Sequence, residues 1–451
     1  MSLVLPLLAA ISAFLLYRYV FYPIFLSPLR SIPFASPLAF TPFWIRYHQR
    51  NGSQALPIIT SAHAQHGPII RLGPNELSVT SLSSTHKLYI EKGGFAKPKW
   101  FADMFTWYGV RNMVSMQGGV GSQEHKGRKR DLGGVYGKSL LMGSEELKVI
   151  AIRVLGGVGD MLRELVDGKG EMDVFSFNGA ISADFSSAYL YGQQSATNFV
   201  GDLKIREEFF ENQTTWMKGK PGRGAAKKWL EAFGLQRCSI PGSTLKDEEK
   251  DTSAIVYNQL NARGLGVSEL ASETLDHMIA GVEGPRTTLT YLEWELSKNA
   301  LVQSKLRAEL KSLSFDPASG LPDFKALDAL PLLDAVLTES MRVYTLAGGP
   351  QYRLTPPEGA TLDGVFVPGG VQVSASFAIL HKNGNVFPEP EKWDPERWLV
   401  DDKEKIEEMR KWFWGFAKGS RVCVGKDFAV IGKEYSLPLM FSWGLKVSEK
   451  G

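Results

Sequence analysis

A chain of 451 residues, 44% hydrophobic and 22% charged, has the composition of a folded globular protein, with length for one large domain or two to four smaller ones. A formal net charge of +3, with no basic cluster interleaved with aromatics, argues against a nucleic-acid partner. The two cysteines, Cys238 and Cys423, exclude a disulfide framework and favour a reducing environment, in which the sequons at Asn51 and Asn212 carry no weight.

The N-terminus departs from this soluble pattern. Leu3 to Leu16 carries no charge, and apolar character resumes from Tyr19 to Leu26 after Arg18. Together these give the roughly 20 residues a membrane span needs, with Arg18 able to snorkel to the interface. No Lys or Arg precedes the run, whereas Arg18 and Arg30 follow it, which favours a retained anchor over residues 1–26 with its C-terminal side in the cytoplasm. A cleaved signal peptide is the competing reading. Pro28, Pro33, Pro37 and Pro42 then predict a stiff linker over 27–44, before a body spanning 45–451.

Within that body, the alternation in GPIIRLGPNELSVT from Gly67 predicts a hairpin or a pair of short strands. From about 140 to 310 the pattern is mostly helical, interrupted by KGKPGRGAAKK (Lys218–Lys228), which reads as a solvated loop. From Pro350 to about Ser376 the period becomes two, with turns at Pro356-Pro357 and Pro368-Gly369-Gly370. The fold class expected is mainly α with a minor β region.

The chemistry concentrates near the C-terminal end. Phe416, Gly419, Arg421, Cys423 and Gly425 form F-x-x-G-x-R-x-C-x-G. A buried structural cysteine wants apolar neighbours; a thiolate wants positive charge, backbone N–H groups and room for an approaching partner. The glycines allow close approach of a flat group, and Arg421 can pair with an anion beside the sulfur. An iron porphyrin meets all of these demands, its metal taking an axial thiolate and its propionates taking arginines. The competing reading is an ordinary loop cysteine.

This loop resembles the haem-binding signature of the cytochrome P450 family, and the likeness extends over most of the chain, from the anchor to about Ile431. The resemblance implies a single catalytic domain holding haem b, with Cys423 as the metal ligand. It implies a structural brace of Glu339 and Arg342, in ESMR, with Arg397, in DPERW. By position, Arg353 corresponds to an arginine that pairs with one haem propionate. His125 and Lys129, in EHKGRKR, correspond to residues contacting the other, with Arg130 as a substitute where Lys129 stands in place of the usual arginine. The competing reading of that run is a solvated basic face.

Two departures bear on function. The family's distal helix carries an acid followed by a threonine that relays protons to dioxygen; here Glu283 supplies the acid, and Gly284 stands at the threonine position. Pro285 predicts a local kink, and Thr287 and Thr288 lie too far along to replace the hydroxyl. After Cys423, moreover, the segment 432–451 does not resemble the family's end, which raises the expectation of a shortened or misread C-terminus. The resulting expectation is a monomeric haem-thiolate monooxygenase of the endoplasmic reticulum membrane, with its catalytic domain in the cytoplasm. It would act on a small lipophilic secondary-metabolite substrate. Electrons would come from NADPH through NADPH-cytochrome P450 reductase, docking near Lys411, Lys418 and Lys426. The alternatives are a haem-thiolate isomerase or dehydratase, and a truncated inactive relative.

Overall fold

The computed structural model describes residues 4–50, 55–119, 122–168, 171–239, 252–317 and 319–433. The atypical tail therefore lies, from residue 434 onward, outside the described residues, as does the sequon at Asn51.

The architecture is mainly α with a minor β region. Its centre is the helix Val267–Lys298, whose Leu270, Leu275, Met278, Val282, Leu289, Leu292 and Leu296 form a buried apolar stripe. Fully burying such side chains stabilises the fold by about 1.5–3 kcal/mol each. The stripe packs against the helix Val174–Tyr191, which is buried from Phe177 to Tyr191. That helix begins where the Asp173 carboxylate accepts from the N–H groups of Phe175 and Ser176. It ends at Gly192, whose φ of 86° favours glycine. The central helix runs through Pro285 as one element, so the proline expected to kink it does not divide it.

The smaller β region lies in the other part of the body. Strands β1 (Ile69–Gly73) and β2 (Glu76–Val79) form the expected hairpin, turning at Pro74-Asn75. Further along come β3 (Pro350–Leu354), β4 (Ala360–Leu362), β5 (Val365–Val367) and β6 (Gln372–Ser376). One sheet has the order β1-β2-β6-β3, in which β2 and β6 are parallel and the other pairings antiparallel; β4 and β5 make a separate hairpin.

Residues 27–44, expected to be a stiff linker, pack onto the body, with Leu29 and Ile32 buried in the core beside the sheet. The fully buried Arg71 on β1 donates to Pro23 O at 2.9 Å and Leu29 O at 3.4 Å, and stacks over Phe34. The segment Lys218–Lys228 is a loop only at its start, since the helix Arg223–Ser239 begins inside it. Apolar contacts outweigh the glycines there: Ala226 and Leu230 are buried. At the N-terminus, Val4–Leu26 is long and apolar enough to cross a membrane.

Candidate active site

The Cys423 loop is fixed largely by backbone groups. The Cys423 N–H donates to Phe416 O at 2.9 Å, closing the loop on itself. Gly419 has φ 72°, and a Cβ there would stand 2.5 Å from Tyr89 O, so only glycine fits. The Ser420 hydroxyl donates to Gly93 O at 2.7 Å, and Arg421 donates to Met113 O at 3.1 Å and to Met116 O. Gly425 is different. A Cβ there would meet nothing within 4 Å, which leaves open space beside the sulfur.

Behind the loop stands the brace. Glu339 and Arg342, both fully buried, meet in a bidentate pair of 2.9 and 2.8 Å. Arg397 Nε, Trp398 Nε1 and the Asp394 N–H also donate to the Glu339 carboxylate. Burial pushes the Glu339 carboxyl up, but Arg342 and Arg397 together hold it below the ordinary glutamate range. Arg342 also donates to His381 O at 2.9 Å, and His381 Nε2 accepts from the Trp414 N–H at 2.7 Å. Burial, followed by the Arg342 charge, drives His381 down to about 3, so its imidazole stays neutral and keeps that acceptor. A chain of contacts thus runs from the brace to the loop through His381, which carried no recognisable motif in the sequence.

The loop and the central helix share one cavity of about 420 Å³. Cys423 is exposed only into this cavity; deep burial raises its thiol, opposed by the Gly425 N–H, Lys433 and Lys129. Cys238 differs in being a plainly buried thiol, pushed up to about 11 by burial and without a role here. Phe416, Arg421, Gly425, Arg353, His125, Lys129, Glu283 and Gly284 all line the same cavity. Gly419 lies outside it, against Tyr89 and Ile90.

Cations crowd one part of the wall. Lys97, Arg353 and Arg421 are in mutual repulsion, and none has an ion-pair partner among the described residues. Burial first, then Arg421 and Arg353, push Lys97 well below its ordinary range. Burial, with Arg353, lowers Arg421 to about 9, and burial together with these cations drives His125 down to about 3. Two carboxylates delivered by a guest would relieve this repulsion. With a sulfur facing the cavity and open space over Gly425, the donor set fits a haem and its propionates. Lys97 was missed in the sequence because a lone lysine before Pro98 carries no motif.

The basic helix Gln123–Tyr136 divides by phase. Lys129 Nζ donates to Ser420 O at 2.9 Å, so it serves the loop's backbone as well as the cavity. Arg130 is exposed and away from the cavity, which corrects its reading as a substitute for Lys129. One residue further along a helix turns a side chain about 100° away from its neighbour's direction. Arg128, on yet another face, pairs with Glu273 at 2.5 Å.

On the central helix, Glu283 pairs with Arg286 at 2.6 Å. The Thr288 hydroxyl donates to Gly284 O at 3.0 Å, so it is committed to the backbone. A groove of about 680 Å³ lies on the far side of the loop, lined by Lys138, Arg410, Lys418 and Lys426 together with Asp328, Asp334 and Asp427. Lys418 Nζ donates to Arg410 O and Lys411 O, closing the end of the helix Lys403–Trp412. Lys411 pairs with Glu408.

Comparison with known proteins agrees with this geometry. The family model for Cytochrome P450 matches residues 241–441. The cytochrome P450 monooxygenase avaI of Aspergillus versicolor is 31% identical over 398 residues, covering 83% of this chain and 94% of that protein. FGM1 of Gibberella zeae is 26% identical, with 81% of this chain and 77% of that protein covered. TazI of Aspergillus terreus is 26% identical, with 90% and 85% covered. Both are also cytochrome P450 monooxygenases by name.

Proposed function

This chain belongs to the cytochrome P450 family, and on that premise we propose that it is a haem-thiolate monooxygenase acting on a small, lipophilic secondary metabolite. The observation that carries this is the meeting, in one cavity, of the Cys423 sulfur, the buried cations and the central helix. Cys423 would hold the iron, while Arg353, Arg421, Lys97 and His125 would receive the propionates. Lys129 would steady the loop rather than the guest. When bound, the haem supplies the oxygen-transfer chemistry, and the protein supplies orientation and proton delivery.

For that delivery the chain offers Glu283. It lines the cavity, and its Oε2 accepts from Arg286 at 2.6 Å and from Gln213 at 3.5 Å, so Oε1 would be the atom to hand on a proton. No hydroxyl follows it at 284, so water or a substrate hydroxyl would complete the relay. Electrons would arrive from NADPH through a reductase docking at the groove behind the loop, where Lys138, Arg410 and Lys426 alternate with Asp328, Asp334 and Asp427. The apolar N-terminal helix would hold the monomer at the endoplasmic reticulum membrane with the body in the cytoplasm.

The test is Cys423→Ser, reconstituted with reductase alongside the wild type. Wild-type protein should give the thiolate-type carbon monoxide difference band and substrate-dependent NADPH and O₂ consumption; Cys423→Ser should give neither. The committed hydroxyl of Thr288 and the glycine at 284 favour one second reading, a haem-thiolate isomerase or dehydratase. Product formed without O₂ consumption would establish it in place of the monooxygenase. A wild-type protein without the thiolate-type band would mean an inactive relative.

A further inference from the structure

Asp276 lies one helical turn before Ala280, on the face that brings Ala280, Glu283 and Gly284 to the cavity. It lines the same cavity and is 7% exposed. Among the described residues the one donor acting on its carboxylate is the Trp107 indole N–H. Lys97 and His277 act on it by charge without closing a hydrogen bond. Lys97 Nζ donates to Val114 O at 2.7 Å, and His277 is bonded to Tyr136 and paired with Glu273. The Trp107 indole N–H acts on the carboxylate yet closes no hydrogen bond of ordinary geometry.

A buried carboxyl group with too few donors costs stability, and Asp to Leu or Ala at this position would remove the cost. Met113, Val114 and Ala280 give the same cavity apolar wall, with Lys97 and His277 lining it as well. The group is therefore aimed, short of donors, into the space a substrate would fill. A site of mostly apolar walls with one well-placed polar group orients its ligand through that group.

We propose that Asp276 is the polar anchor for substrate, accepting a hydrogen bond from an N–H or O–H group on an otherwise apolar molecule. This rests on the cavity being the substrate chamber of a haem protein. Burial raises the Asp276 carboxyl to about 7, so above that pH, where it only accepts, it narrows the substrate class to donors: a pure hydrocarbon, or an ether offering only acceptors, would bind without the bond that fixes its orientation. Such discrimination is strong when a site's polar group is buried, because the wrong ligand leaves that group unpaired.

The experiment uses the full-length haem-loaded enzyme and equilibrium dialysis at about pH 8.5, where the Asp276 carboxyl is ionised and only accepts. The probes are 4-phenyl-1-butanol, its methyl ether and 4-phenylbutanamide, each run with and without imidazole as a competitor at the iron. The expected result is that wild type binds the alcohol or the amide about tenfold more tightly than the ether. The alcohol and amide arms separate O–H from N–H preference. In Asp276→Leu the ratio should fall to about one, and in Asp276→Asn, whose amide oxygen still accepts, a several-fold preference should survive. Haem content and the carbon monoxide band should stay unchanged in both variants. Equal binding of donor and ether probes in wild type, or a preference that survives in Asp276→Leu, would overturn the proposal while leaving the chamber intact. Probes that imidazole does not displace would overturn the chamber reading and the proposal with it.

Discussion

The loop that carries Cys423 and the stretch of central helix that shares its cavity are organised by opposite rules. In and around the loop, side chains serve backbone: Lys129, Ser420 and Arg421 all donate to carbonyl oxygens. On the helix, the acidic side chains look to other side chains, as in the Glu283–Arg286 pair and in Asp276, on which the Trp107 indole acts. Backbone contacts fix a ligand's position independently of what occupies the cavity. Side-chain pairs on the helix can be exchanged without moving the frame, which makes this the adjustable half of the site.

The sharpest way to break that contrast is to undo the brace behind the loop. Glu339→Ala leaves Arg342 and Arg397 as buried cations without a carboxylate, at a cost of about 3–5 kcal/mol. Against a total stability of about 5–15 kcal/mol, little folded haem protein should remain. Urea unfolding followed by tryptophan fluorescence would measure it. The same carboxylate sets the acid limit. Because its folded pKa lies below the ordinary 4.5, its contribution is present above that value and is lost as the pH falls through the folded pKa. An acid titration of wild type should therefore show stability dropping below about pH 4.5, and Glu339→Gln should flatten that limb.

Two glycines on the helix provide smaller and opposite effects. A Cβ on Gly281 would stand 2.5 Å from Ser186 Oγ, so Gly281→Ala should destabilise by about 1–3 kcal/mol, with partial relief from Ser186→Ala. At Gly284 the nearest atom would be Leu346 Cδ2 at 3.4 Å. Gly284→Ala should then stabilise by about 0.5–1 kcal/mol through helix propensity. Thermal unfolding of the pair would show whether the helix tolerates change where the loop does not. The smallest effect concerns chemistry: Gly284→Thr should raise the product formed per NADPH consumed with haem content unchanged, and abolished turnover would refute the adjustable character of this helix.

Much of the loop's half was legible because its contacts fall at fixed spacings. Gly419 and Cys423 are close in sequence, and Glu339 and Arg342 share a helical turn. The brace's third member, Arg397, could be found because it sits in a recognisable run. The hidden residues are those whose partners come from distant segments. Lys97 joins Arg353 and Arg421 across hundreds of positions, and His381 acquires meaning only between Arg342 and Trp414. Arg130 misled for a simpler reason: a run of basic residues says nothing about which one faces inward until the helix phase is set by Leu132 and Val135 in the core. The prolines of 27–44 describe local stiffness, whereas the burial of Leu29 and Ile32 depends on the sheet and was not legible.

The grip of Arg71 on Pro23 and Leu29 has a mechanical consequence. Phe43 and Tyr47, each 64% exposed, stand close by, with Phe43 beside Tyr19 of the apolar helix. Height and tilt over a membrane would then be set by a guanidinium, as a bracket sets a shelf, rather than by the length of a leash. Arg71→Ala would loosen that grip and let the body swing.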